Sequence, residues 1–211
     1  MSIVALACPS RREARREARR EAILDVAYRS FLDHGYAGTT MSAIAAALGG
    51  SKGTLWSYFP AKDVLFAAVL DRATAEFRRE LTEILAPGGD PEATLTRFAR
   101  GLIAKVTSPQ AIALHRLVMG EASRFPETGR IFHERATGRT RDLLAGYLAE
   151  ASTRGQLAPR DPAVGALQFV ALCLAGCHHQ LMLGLIAEAA PAQVEADAAQ
   201  AVDLFLRAWR A

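Results

Sequence analysis

The sequence predicts an all-α fold of about nine helices, a small N-terminal three-helix unit with a helix-turn-helix followed by a larger helical unit. Three observations predict it: Leu, Ala, Arg and Glu dominate, no valine-rich or isoleucine-rich run alternates with period two, and turn signals stand far apart. With 211 residues, 51% of them apolar, the chain can bury a substantial core as one large domain or two small ones.

The first ten residues, MSIVALACPS, carry a short apolar run with no basic residue before it and no clear cleavage site after it, which reads as a frayed tail. From Ser10 to Tyr36 the sequence reads as one helix. Arg11, Arg15 and Arg19 stack at spacing four, as do Arg12, Arg16 and Arg20, with Glu13, Glu17 and Glu21 as a third stripe. Like charges therefore repel along the helix, offset by the Glu13 to Arg16 and Glu17 to Arg20 pairs. A solvated charged helix and a basic arm that approaches phosphates both remain open. Beyond this arm, Ile23, Leu24, Ala27, Phe31 and Leu32 make an apolar stripe, and His34-Gly35 reads as a stop.

In TTMSAIAAALGG, Thr40 is placed to cap a short helix, Ile44, Ala45 and Leu48 face inward, and Gly49 supplies the positive φ that ends it. Ser51 is placed to cap a second short helix from Lys52 to Phe59, anchored by Leu55 and Phe59 and stopped by Pro60. Two short helices joined by a glycine turn, behind a longer support, are the layout of a helix-turn-helix. That layout leaves Lys52, Gly53, Thr54, Trp56 and Ser57 on the outer surface, with Tyr58 at its edge. An exposed Trp beside Lys and Thr suits the major groove, where an aromatic edge meets a thymine methyl and Lys reaches guanine acceptors or phosphate. Packing of Trp56 and Tyr58 under the next helix is the alternative.

After Asp63 a long helix runs to the break at Ala86-Pro87-Gly88-Gly89. It begins in the first unit and ends in the second, so it can act as a lever between them. Asp90-Pro91 opens a helix to about Val106, Ser108-Pro109 another to Arg124, and Pro126 a long one to about Arg154. Gly155 and the turn from Pro159 to Pro162 precede an apolar helix from Ala163 to Ala187, and Pro191 opens the last, ending near Trp209. The stretch from Val164 to Ile186 has the length of a membrane span, but Gln168 and His178-His179-Gln180 interrupt it, so we read it as a buried helix.

Charge placement narrows the function. Through Lys62 there are nine Arg or Lys against five Asp or Glu, whereas the remainder holds 16 against 17, so the whole positive excess lies at the N-terminal end and points to a polyanionic partner. Cys8, Cys173 and Cys177 make no disulfide framework, which fits a cytoplasmic protein. No GxGxxG, P-loop or HExxH occurs and no nucleophile stands beside a base, so the sequence names no catalytic residue, metal or cofactor, although a helical enzyme and a dimeric small-molecule carrier remain the rival classes. Cys173, Cys177, His178 and His179 lie on one helix, which by itself cannot close a tetrahedral site.

The stretch AILDVAYRSFLDHGYAGTTMSAIAAALGGSKGTLWSYFPAKDVLFAAVL, about residues 20 to 70, resembles the N-terminal domain of TetR/AcrR-family transcriptional regulators. Both G-x-x-x-T-T-x-x-x-I-A and S-K-G-T-L-[aromatic]-x-Y-F-x-x-K are present in register. The resemblance implies a bacterial DNA-binding regulator in which Lys52 and Gly53 approach bases, Trp56 packs on base edges or sugar, and Thr40, Thr54, Tyr58 and Lys62 hold phosphates. Two positions depart from the pattern: Gly50 stands where a small branched residue is usual, and Trp56 where Tyr is usual. The segment from His115 to Gly176 resembles the C-terminal domain of the AefR-like branch of that family, implying a ligand cavity among the middle helices and a dimer interface in the last two, about 163–187 and 191–209.

These implications divide the chain into a basic arm (1–18), a helix-turn-helix domain (19–66) and an effector and dimerisation domain (67–211). Phe98, Leu102, His115, Met119, Phe132, Phe169 and Cys173, apolar with sparse polar groups, are the candidate ligand-binding residues, a plain core being the alternative for any one of them. The expected protein is a homodimeric repressor that binds double-stranded DNA at a palindromic operator, is released by a small hydrophobic effector, and has no membrane partner.

Overall fold

The computed structural model describes residues 10–49 and 52–210, with the backbone alone at Lys52. Its two compact units are Met1–Val69 and Leu70–Ala211. The expectations for the tail before Ser10, for Gly50 in the turn and for Ser51 as a cap lie outside the described residues.

In the first unit, α1 (Arg11–Gly38) begins with a capping box. The Glu13 amide donates to Ser10 Oγ at 3.2 Å, and the Ser10 amide donates to the Glu13 carboxylate at 2.8 Å. Glu13 is thus held by Ser10, and the Glu17 to Arg20 pair forms at 3.5 Å. The stop read at His34-Gly35 is a bend: Gly35 takes φ 71, a region open to glycine, and the helix resumes to Gly38. Thr39, fully buried, locks the bend by donating its hydroxyl to the Gly35 carbonyl at 2.8 Å and the Ser30 carbonyl at 2.9 Å.

Thr40 caps α2 (Met41–Ala47) by accepting the Ala43 amide at 3.1 Å, and Gly49 ends the turn with φ 62. α3 (Lys52–Tyr58) follows, then α4 (Lys62–Ile84), which continues into the second unit. Ile23, Leu24, Ala27, Phe31, Ile44, Leu55, Phe59 and Phe66 are buried, and the rings of Phe31, Tyr36 and Phe66 form a triangle with centroids 5.0 to 5.9 Å apart.

The second unit adds α5 (Pro91–Val106), α6 (Pro109–Glu121), α7 (Pro126–Phe132), α8 (Gly138–Thr153), α9 (Pro162–Leu174), α10 (Cys177–Leu183) and α11 (Pro191–Trp209). Asp90, Ser108 and Asp161 each cap a helix whose first residue is proline, so one local pattern starts three of them. Leu95, Phe98, Leu148, Phe169, Phe205 and Trp209 lie in the core they enclose.

Among the described residues there are eleven α-helices where nine were expected, and two differences have side-chain causes. The long helix read from Pro126 is interrupted by a π-helical turn at His133–Thr137. The Arg135 carbonyl there accepts from Arg78 of α4 at 3.1 Å, and Arg135 itself pairs with Asp71 at 3.3 Å, so partners on α4 hold the altered backbone.

The apolar run is not one buried helix: α9 and α10 meet at a 64° bend. Asp197 of α11 causes it. Its carboxylate accepts the Cys177 amide at 2.7 Å and the Gln193 side-chain amide at 2.8 Å, capping α10 from a distant helix. The carboxylate occupies the space a Cβ on Gly176 would need. Phe169 and Cys173 are buried, but Val164 and Leu167 are about half exposed on this chain. No single described helix is long and apolar enough to cross a membrane.

Candidate nucleic-acid interface

Leu55 and Phe59, 2% and 4% exposed, pin α3 to the core and thereby fix which side faces out. Trp56 is 38% exposed, Gly53 and Ser57 are exposed, and Thr54 and Tyr58 are half-buried. Nothing is described of the Lys52 side chain, so its expected base contact lies outside the described residues.

The hydroxyls on this face differ in what they can still do. Thr40 spends a lone pair on its cap and keeps its proton to donate, as a phosphate requires. Ser57 donates its proton to the Thr54 carbonyl at 2.7 Å, which leaves it an acceptor suited to a base amine or water. Ser57 thus differs from Thr40 in kind.

The basic arm reaches this helix. The Arg16 guanidinium stands 5.9 Å from the centre of the Tyr58 ring, and Arg20 stands 5.9 Å from that of Phe59. The arginines of α1 therefore stand beside the C-terminal end of α3 within the first unit. The sequence leaves the arm and α3 apart, because their contact depends on how α1 passes α3.

Lys62 stands at the start of α4 as expected, with a further job. Its ammonium donates to the Tyr36 carbonyl at 2.7 Å and sits 4.2 Å from the centre of the Tyr36 ring. Lys62 thus makes an internal tie, and its partner Tyr36 is a contact that sequence reasoning missed.

The seven candidate ligand residues do not line one cavity. Phe98, Leu102, Phe169 and Cys173 are packed in the second unit's core, with the rings of Phe98 and Phe169 5.9 Å apart. The His115 ring lies between those of Phe132 and His178, tilted against both with centroids 5.2 Å away, and Met119 is 68% exposed. Hydrophobicity alone selected these positions, and packing assigns most of them to the core. Burial pushes the thiol of Cys173 up to about 12 and that of Cys177 to about 11, which keeps both protonated and unreactive at neutral pH. Among the described residues no three His, Cys, Asp or Glu side chains are grouped to hold a metal ion.

Residues 23–69 match the bacterial regulatory proteins of the tetR family, and residues 93–211, more than half the chain, match the C-terminal domain of AefR-like transcriptional repressors. The chain belongs to the TetR family. Like other TetR-family proteins, it is a DNA-binding transcriptional regulator. It is 24% identical over 158 residues to the transcriptional repressor ComR of Escherichia coli, covering 74% of this chain and 75% of ComR. Its fold matches a TetR-family regulator from Mesorhizobium loti with a TM-score of 0.80 at 27% identity, covering 93% of this chain and 99% of that one. It also matches the flavonoid-responsive regulator FrrA with a TM-score of 0.77 at 29% identity, covering 92% and 98%. The match over residues 23–69 takes in α3 and its exposed Trp56.

Proposed function

We propose that the protein is a ligand-responsive repressor that binds a palindromic operator as a homodimer. The exposed Trp56, on a helix anchored by Leu55 and Phe59 and flanked by the arginines of α1, carries this reading. In it Trp56, Gly53 and Lys52 meet base edges, Thr40, Thr54, Tyr58 and Lys62 hold backbone phosphates, and Ser57 accepts from a base or water. No catalytic step is assigned to any residue.

Homodimerisation is supported by the apolar side chains that α9 and α11 leave outside. Val164, Leu167 and Leu204 are each about half exposed, and a second copy of the same two helices would bury them in a four-helix bundle. A two-fold dimer presents two copies of α3 to two half-sites. Release by a small molecule needs an effector that binds the conformation with low DNA affinity better than the other, and FrrA, described as flavonoid-responsive, is a relative of this fold.

Selection of bound duplexes from a random pool tests the reading. The expected product is an inverted repeat with half-sites about one helical turn apart. Recovery of sequences no different from the input pool would leave a small-molecule carrier as the better account.

A further inference from the structure

Resting on the reading that the second unit answers to a small molecule, we propose that this molecule is an amphipathic monocarboxylate. It occupies the cavity between α5, α6, α10 and α11, with its carboxylate on Arg116.

The cavity is a cleft half open to solvent, with a volume of about 750 Å³, a size that accommodates small organic ligands. Ile112 of α6, Leu181 of α10, Ile186 of the following loop and Val194 of α11 give it apolar walls that fit a hydrocarbon or aromatic body.

The polar groups of the lining decide the ligand's head. Thr107 donates its hydroxyl to the Ile103 carbonyl at 2.7 Å, Ser108 donates its own to the Lys105 carbonyl at 2.8 Å, and Glu195 pairs with Arg100 at 2.6 Å. Those groups are already satisfied within the protein. Arg116 differs from them. It is exposed, and its Nη2 donates to the Leu181 carbonyl at 2.5 Å in the last turn of α10. That bond fixes the guanidinium at the cavity wall and uses one of five N–H donors, so a planar fork remains for a carboxylate.

Charge limits the ligand to one negative group. Exposed Glu188, on the loop between α10 and α11, also lines the cavity, and it opposes a second carboxylate while Arg116 offsets the first. An uncharged molecule of the same length fills the walls but forgoes the charge-assisted contact.

Decanoate and 1-decanol, titrated calorimetrically into the full chain, test the proposal. Decanoate is expected to saturate at one per chain and to bind roughly tenfold more tightly than 1-decanol. Arg116→Gln should remove that difference by weakening decanoate alone, and Arg116→Lys should retain most of it. Ala113 is an exposed lining residue, and Ala113→Trp should block both probes without disturbing the core. Equal decanoate affinity in Arg116→Gln, unchanged binding in Ala113→Trp, or no decanoate binding at millimolar concentration would each overturn the site. So would a change in self-association in Ala113→Trp without a change in ligand binding, since the cavity would then belong to an interface between copies. Operator affinity with and without decanoate is read separately. Decanoate bound through Arg116 with unchanged operator affinity leaves the site standing and removes the ligand-responsive reading.

Discussion

Lys62 and Tyr36 are joined twice: the lysine ammonium donates to the tyrosine's backbone carbonyl at 2.7 Å and lies 4.2 Å from the centre of its ring. The link spans 26 positions of sequence and ties the first residue of α4 to the stretch just past the bend in α1. Lys62→Met keeps the alkyl stem and removes the charge, and should cost about 1 to 3 kcal/mol of stability in urea unfolding. If Lys62 also meets a phosphate, the same variant weakens binding to all duplexes about equally and lowers the salt slope by about one. A stability loss with an unchanged slope confines Lys62 to the internal tie.

Asp197 holds the bend between α9 and α10. Burial by itself pushes its carboxyl upward, but hydrogen bonds from the Cys177 amide and thiol and from Gln193 outweigh that and leave it below the usual carboxylate range. The native state therefore favours the ionised form. This contribution is present above the ordinary carboxylate range and is lost as pH falls through the lowered native value. Asp197→Ala should cost about 2 to 4 kcal/mol at neutral pH by leaving the Cys177 amide unpaired. Gly176→Ala should also destabilise, because its Cβ meets the same carboxylate. Chemical unfolding of both variants checks this, and wild-type stability in either would contradict the cap.

His115 and His178 face each other with Nδ1 and Nε2 3.2 Å apart. Burial, followed by the neighbouring His115, pushes His178 down to about 4 from an ordinary 6.5. The unfolded chain thus takes up a proton near pH 6.5 that the folded chain refuses until about pH 4. Stability from this site is complete above pH 6.5 and declines through that window. Melting temperatures measured from pH 7.5 to 5.5, where the carboxylates stay charged, should fall for the wild type and fall less for His178→Gln. Equal slopes would place the titration elsewhere.

The sequence made some of these features legible and hid others for physical reasons. Thr40, Asp90 and Ser108 reveal themselves because a cap acts within three residues, and Leu55 and Phe59 because anchoring follows helical spacing. Gly176 sits inside a largely apolar run, and Asp197, which holds the bend there, lies 20 positions beyond Cys177, so hydropathy reads one long helix. The π-helical turn likewise depends on Arg78 and Asp71 of α4. Phe98 and Phe169 have the composition of a pocket wall, and only packing shows that they fill the core.

Trp56 is 38% exposed, so much of its ring packs on the protein and Trp56→Ala should cost about 1 to 2 kcal/mol of stability. Operator affinity of this variant should also fall by about 1 to 3 kcal/mol, with little change on scrambled DNA.

The central claim is that α3 and the arm of α1 bind DNA with sequence preference. Titration of a selected operator duplex and a scrambled duplex of equal length, at 50 and 200 mM salt, tests it most directly. The account predicts that both affinities fall as salt rises, by roughly a thousandfold for the operator, and that the operator remains the tighter at each concentration. Equal affinity for the two duplexes at both concentrations would contradict it.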